Sequence, residues 1–114
     1  MKTNKLALLL LLALLPVALL AHAPKKVIVT YEKESGKLMI SIQHPVKDVT
    51  DHYIESIAIK VNGEDVKTLE YTSQSSKESH DVEVEMPDLK TGSKISLKAS
   101  CNKLGAKSGS ITIE

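Results

Sequence analysis

From Lys26 to Glu114 the chain alternates apolar and polar residues with a period of two, and the alternation is broken at short, regular intervals. Period two is the signature of a strand with one face buried. Leu38, Ile40 and Ile42 share one face, as do Val82, Val84 and Met86, with Asp81, Glu83 and Glu85 pointing the other way. Ile95, Leu97 and Ala99 repeat the pattern. The predicted strands are Lys26–Tyr31, Lys37–Gln43, Tyr53–Val61, Asp65–Tyr71, His80–Met86, Lys94–Cys101 and Gly109–Glu114. Turn chemistry lies between them: Glu34-Ser35-Gly36 and Asn62-Gly63 read as hairpins, and Pro87-Asp88 and Thr91-Gly92 bracket a connection. The polar run Thr72–Ser79 reads as a loop without an evident role. No stretch after the first two dozen residues carries an apolar stripe of helical period. Seven short strands in about 90 residues predict an all-β fold, an immunoglobulin-like antiparallel β-sandwich in a single domain.

The beginning of the chain belongs to a different class. Lys2 and Lys5 precede Leu6–Ala21, an apolar run of 16 residues closed by small side chains. That is short of the roughly 20 residues a membrane-spanning helix needs, and the layout fits a cleaved secretory signal. Pro24 disfavours cleavage after Ala23, so cleavage after Ala21 is expected, with His22 as the mature N-terminus and His22–Glu114 as the domain. The expected location is the periplasm or the extracellular medium, without a membrane anchor after cleavage. Loss of Lys2 and Lys5 leaves 13 basic residues against 14 acidic. A balance so close to zero gives no electrostatic basis for nucleic-acid binding. Phe and Trp are absent and Tyr31, Tyr53 and Tyr71 are the only aromatics, so the core is aliphatic and base or sugar stacking has little to work with.

Chemistry-bearing residues are few. Cys101 is the single cysteine, which excludes an internal disulfide and leaves a buried thiol, a link between chains (a homo-oligomer) or a metal-bound thiolate. His80 follows a serine-rich loop and is expected in solvent. His44 ends a predicted strand and is followed by Pro45, which directs the chain out of the sheet. His52 stands just before the next strand, so the two histidines flank one connection. Cys101 ends the Lys94 strand and can reach the same end of the sandwich. Imidazoles with one thiolate suit iron, copper or zinc.

The motifs His44-Pro45, His52-Tyr53-Ile54-Glu55 and Cys101-Asn102 with Gly105, preceded by His22-Ala23-Pro24, resemble the superoxide reductase family, the iron domain of desulfoferrodoxin and neelaredoxin. The resemblance runs in order along the whole domain. It implies a mononuclear iron held by histidines in a plane and an axial cysteine thiolate, with an open position that takes superoxide and reduces it to hydrogen peroxide. Residue by residue, the expected metal ligands are His22, His44, His52 and Cys101. The chain also departs from the pattern. Leu104 stands where the family has its last histidine, Ser56 replaces a tryptophan and Val46 a methionine. The connection from His44 to His52 is two residues longer, and Leu20-Ala21 stands where the family has a Glu-Lys pair whose lysine draws in the anion. Lys25, Lys26, Lys47 or Lys103 can supply positive charge instead, and no motif chooses among them.

The ligand set implied is therefore four residues with one equatorial position missing, suited to iron or to copper or zinc. The expected partners are superoxide or another small anion and an electron donor that no motif identifies. A second function class stays open, a non-enzymatic binding module that has lost the metal site. One form of it resembles the SoxZ-type sulfur-oxidation subunits, which share an H-P after an early strand and an N-G hairpin.

Overall fold

The computed structural model describes residues 22–114; the leader expected over residues 1–21 lies outside the described residues. Seven strands form where the alternation places them: β1 (Lys26–Glu32), β2 (Lys37–Gln43), β3 (Ile54–Val61), β4 (Glu64–Glu70), β5 (Ser79–Glu85), β6 (Lys94–Cys101) and β7 (Ala106–Thr112). They pair antiparallel in two sheets, ordered β1-β2-β5 and β4-β3-β6-β7. The inner faces carry Leu38, Ile40 and Ile42 from β2, Ile57 and Ile59 from β3, and Ile95, Leu97 and Ala99 from β6, all buried. Each Ile or Leu so buried contributes roughly 1.5–3 kcal/mol relative to exposure, and the alternation puts them on one side without any helix to cover the other.

The turns sort by end. At one end Gly36, Asn62, Gly63 and Gly92 all have positive φ. Asn62 (φ 51°) and Gly63 (φ 84°) give the left-handed pair that a two-residue hairpin needs to follow the strand twist. The opposite end receives the N-terminal arm, the long connection from β2 to β3, the loop from β4 to β5 and the tight turn from β6 to β7.

Strand β7 starts at Ala106, three residues before the expected Gly109, and stops at Thr112. Ala106, Lys107 and Ser108 look like loop residues, yet they pair with Ser100, Ala99 and Lys98 at the sheet edge, where the outer side chains meet water. Gly109 has a packing reason: a Cβ there would lie 2.8 Å from Val27 Cγ1, so its absence lets β7 close against β1 of the other sheet.

Strand β3 contains the irregularity that matters for the site. Ile57, Ile59 and Val61 pair with Ala99, Leu97 and Ile95, but the register with β6 shifts between Ile54 and Ser56, where Ile54 pairs with Cys101. This β-bulge at Glu55 inverts the alternation upstream of it. Ile54 is buried although an even spacing from Ile57 would turn it outward. His52, two residues before Ile54, is thereby carried to the same side as Cys101.

A candidate metal centre at one end of the sandwich

Three chain segments bring the site together by continuing the strand faces beyond the strands. His44 follows Ile42 on the inner face of β2 and is fully buried. Cys101 follows Ala99 on the inner face of β6 and is 6% exposed. His52 arrives by the bulge in β3, half-buried. The ligating atoms of His44, His52 and Cys101 all lie within 4.8 Å of one another. His52 Nε2 and Cys101 Sγ are 3.1 Å apart. The His44 and His52 rings meet edge to face with centroids 4.7 Å apart.

His22 completes the group at ring level, 5.6 Å from the His44 centroid and 5.9 Å from that of His52. Its arm is pinned on two sides. Lys25 N–H donates to Gln43 O at 2.8 Å, extending the β1–β2 ladder backwards. Ala23 rests on the β6–β7 turn so closely that a Cβ on Gly105 (φ 76°) would lie 2.6 Å from the Ala23 Cβ. The glycine of the closing motif is thus required twice, for its left-handed backbone and for this contact. The His22 ring donates from Nδ1 to Ala23 O at 3.0 Å, which leaves Nε2 as its bare nitrogen.

Asn102 ties the two thinnest parts of the site to each other. Its Oδ1 accepts from Tyr53 N–H at 2.9 Å, its Nδ2 donates to Asp51 O at 3.0 Å, and its own N–H donates to Tyr53 O at 3.0 Å. The residue after the cysteine therefore grips both neighbours of His52. Lys103 N–H points to Cys101 Sγ at 3.4 Å. Lys103 Nζ pairs with Asp51 at 2.9 Å on the rim.

Two expectations are corrected on the β4–β5 side. The Thr72–Ser79 run does carry a role: Gln74, only 4% exposed, is folded back onto His44. His44 Nδ1–H donates to Gln74 Oε1 at 2.8 Å, and Gln74 Nε2 donates to His44 O at 2.7 Å and to Ser76 O at 2.9 Å. His80 is buried at 3% exposure rather than solvated. It pairs with Ile42 and shares the inner face with Val82 and Val84, packs edge to face on Tyr71 at 4.3 Å, and accepts from Ser75 N–H at 3.1 Å. Counting by twos back from Val84 would have placed it there. No such count finds Gln74, because a loop has no period.

The residues fit a metal ion. Ligands about 2.1 and 2.3 Å from one ion stand about 3.1 Å apart at right angles and about 4.4 Å apart when opposed. The His52–Cys101 separation of 3.1 Å matches the right-angle value, and no separation within the trio exceeds 4.8 Å. His44 Nε2 is buried and has no hydrogen-bond partner, an arrangement that is costly unless a further group meets it. Burial first, then the charges of His44, His22 and Lys103, holds the His52 pKa below the ordinary 6.5, with Asp51 opposing. A neutral imidazole is the form that ligates. Leu104 is 54% exposed on the turn and adds no donor.

No protein-family model matches this chain, and no curated protein sequence matches it. Among solved structures, the crystal structure of a superoxide reductase in the oxidised state is similar, with a TM-score of 0.50 over 82% of this chain and 90% of that one. The identity is 19%, so the likeness is one of fold.

Proposed function

We propose that the chain is an exported metalloprotein of the superoxide reductase type, holding one iron through His22, His44, His52 and Cys101. The observation that carries the reading is the buried, partnerless Nε2 of His44 beside the His52–Cys101 pair, at the end of a sandwich that a superoxide reductase shares. Iron bound there supplies one-electron chemistry, so that superoxide, one electron and two protons give hydrogen peroxide, with the electron returned by a donor protein.

The chain's own residues have separable tasks in this reading. The Lys103 amide orients the sulfur of Cys101, and the low proton affinity of His52 keeps its ring available. Asn102 fixes the distance between these two. Lys103 also places the cation that acts on His52 at the rim, where it attracts a small anion, although Asp51 neutralises part of its charge. Leu104, turned to solvent, leaves the set one histidine short. That observation favours a second reading, a site taking copper or zinc, or a binding module with no reductase activity.

The test is anaerobic loading with Fe(II) followed by oxidation. The proposal expects about one iron per chain and a visible thiolate-to-iron charge-transfer band, both absent in Cys101→Ala, and consumption of superoxide without release of oxygen. Iron absent by elemental analysis, with no band, overturns it; tight zinc or copper binding in the same protein then supports the second reading.

A further inference from the structure

We infer that Gln74 is a positioning residue that sets the tautomer of His44, and with it the nitrogen the site offers to a ligand. The orientation of the Gln74 amide follows from its partners. An amide nitrogen carries two hydrogens, and here they meet His44 O at 2.7 Å and Ser76 O at 2.9 Å. The opposite orientation would set the amide oxygen against two carbonyl oxygens at those distances, with no hydrogen between them. Oε1 therefore faces His44 Nδ1, 2.8 Å away. An amide oxygen only accepts, so Nδ1 carries the hydrogen, and in a neutral ring Nε2 is then a bare lone pair.

That lone pair is one of two buried side-chain nitrogens without a partner among the described residues, the other being His80 Nε2, and it alone belongs to the group formed with His52 and Cys101. An unconstrained histidine favours the other tautomer, with hydrogen on Nε2, so something must hold this one. Gln74 is well placed to do so because it is itself held. Its N–H donates to Val49 O at 3.0 Å, in the connection that carries His44 and His52. A ligating histidine as a rule donates its other ring hydrogen to an oxygen that orients it, and here a loop residue between β4 and β5 provides that oxygen.

The tautomer assignment stands on the hydrogen bonds alone; its consequence for ligand binding rests on the proposed metal site. The test reads both. In the protein with 15N-labelled histidine, imidazole NMR at neutral pH should show His44 with hydrogen on Nδ1. Gln74→Leu, of similar size, should move the hydrogen to Nε2 or mix the two forms, and should weaken binding of Zn(II), added alone as the probe, by about 10- to 100-fold. Gln74→Met keeps the side-chain length but offers Nδ1 no amide oxygen, so it should shift the tautomer in the same direction, and it stands in if the leucine variant fails to fold. Hydrogen on Nε2 in the wild type, or a Gln74→Leu protein with an unchanged tautomer, overturns the inference. A wild-type protein with the expected tautomer, altered in Gln74→Leu, that binds neither Zn(II) nor Fe(II) supports the role of Gln74 and overturns the metal site.

Discussion

His80 is a buried imidazole that the candidate site does not use, and its surroundings make it one source of the domain's sensitivity to acid. Its Nδ1 accepts from Ser75 N–H, its ring lies on Tyr71, and burial pushes its pKa below the ordinary 6.5, with Asp81 pulling the other way. The unfolded chain then takes up this proton more readily than the folded one. Stability contributed by neutral His80 is full above about pH 6.5 and falls as the pH drops from there towards the lower folded value. The urea midpoint should therefore fall between pH 7.5 and pH 5.5, and His80→Gln, which keeps an acceptor but cannot titrate, should flatten that slope. An equal slope in the variant would assign the acid sensitivity elsewhere. The period of β5 makes His80 readable as an inward residue. His44 and Cys101 are readable in the same way, as the next inward positions after Ile42 and Ala99.

At the scale of elements, the bulge in β3 and the turn after β6 bring His52 to Cys101, and Asn102 joins the two. Asn102→Ala removes two side-chain hydrogen bonds, to Tyr53 N–H and Asp51 O, and should cost about 1–3 kcal/mol. Because those bonds flank His52, metal affinity should fall as well, while Asp65→Ala in the exposed edge strand β4 should change neither; isothermal titration and urea unfolding check this together. Most of the strands are legible in the alternation because they bury one face; β4, exposed along nearly its whole length, is legible from the Asn62-Gly63 hairpin that leads into it. β7 is the least legible, since an edge strand needs no apolar residue at Lys107 or Ser108. The bulge is legible only afterwards, from the three-residue step between Ile54 and Ile57. Gln74 leaves no such trace: its role is a matter of where the β4–β5 loop folds back, and loop geometry is set by tertiary contacts.

Across the whole molecule the candidate centre spans both layers. His44 extends β2 of the three-stranded sheet, whereas Cys101 ends β6 and His52 leads into β3, both of the four-stranded sheet. With its one cysteine the domain has no disulfide between layers, and an ion held by these residues would clip the sheets at this end. Zn(II) at a hundredfold excess over its dissociation constant should add about 2.7 kcal/mol to unfolding, a rise in Tm of roughly 10–20 °C for a domain of this size. A chelator should reverse it, and Cys101→Ala should abolish most of it. The glycine turns at the far end lie opposite this clip. A Cβ added at Gly63 would meet nothing within 4 Å, so the Asn62–Gly63 hairpin is the natural handle of the domain. A peptide tag grafted there would tether the protein to a surface or an electrode with its histidine-bearing end facing outward.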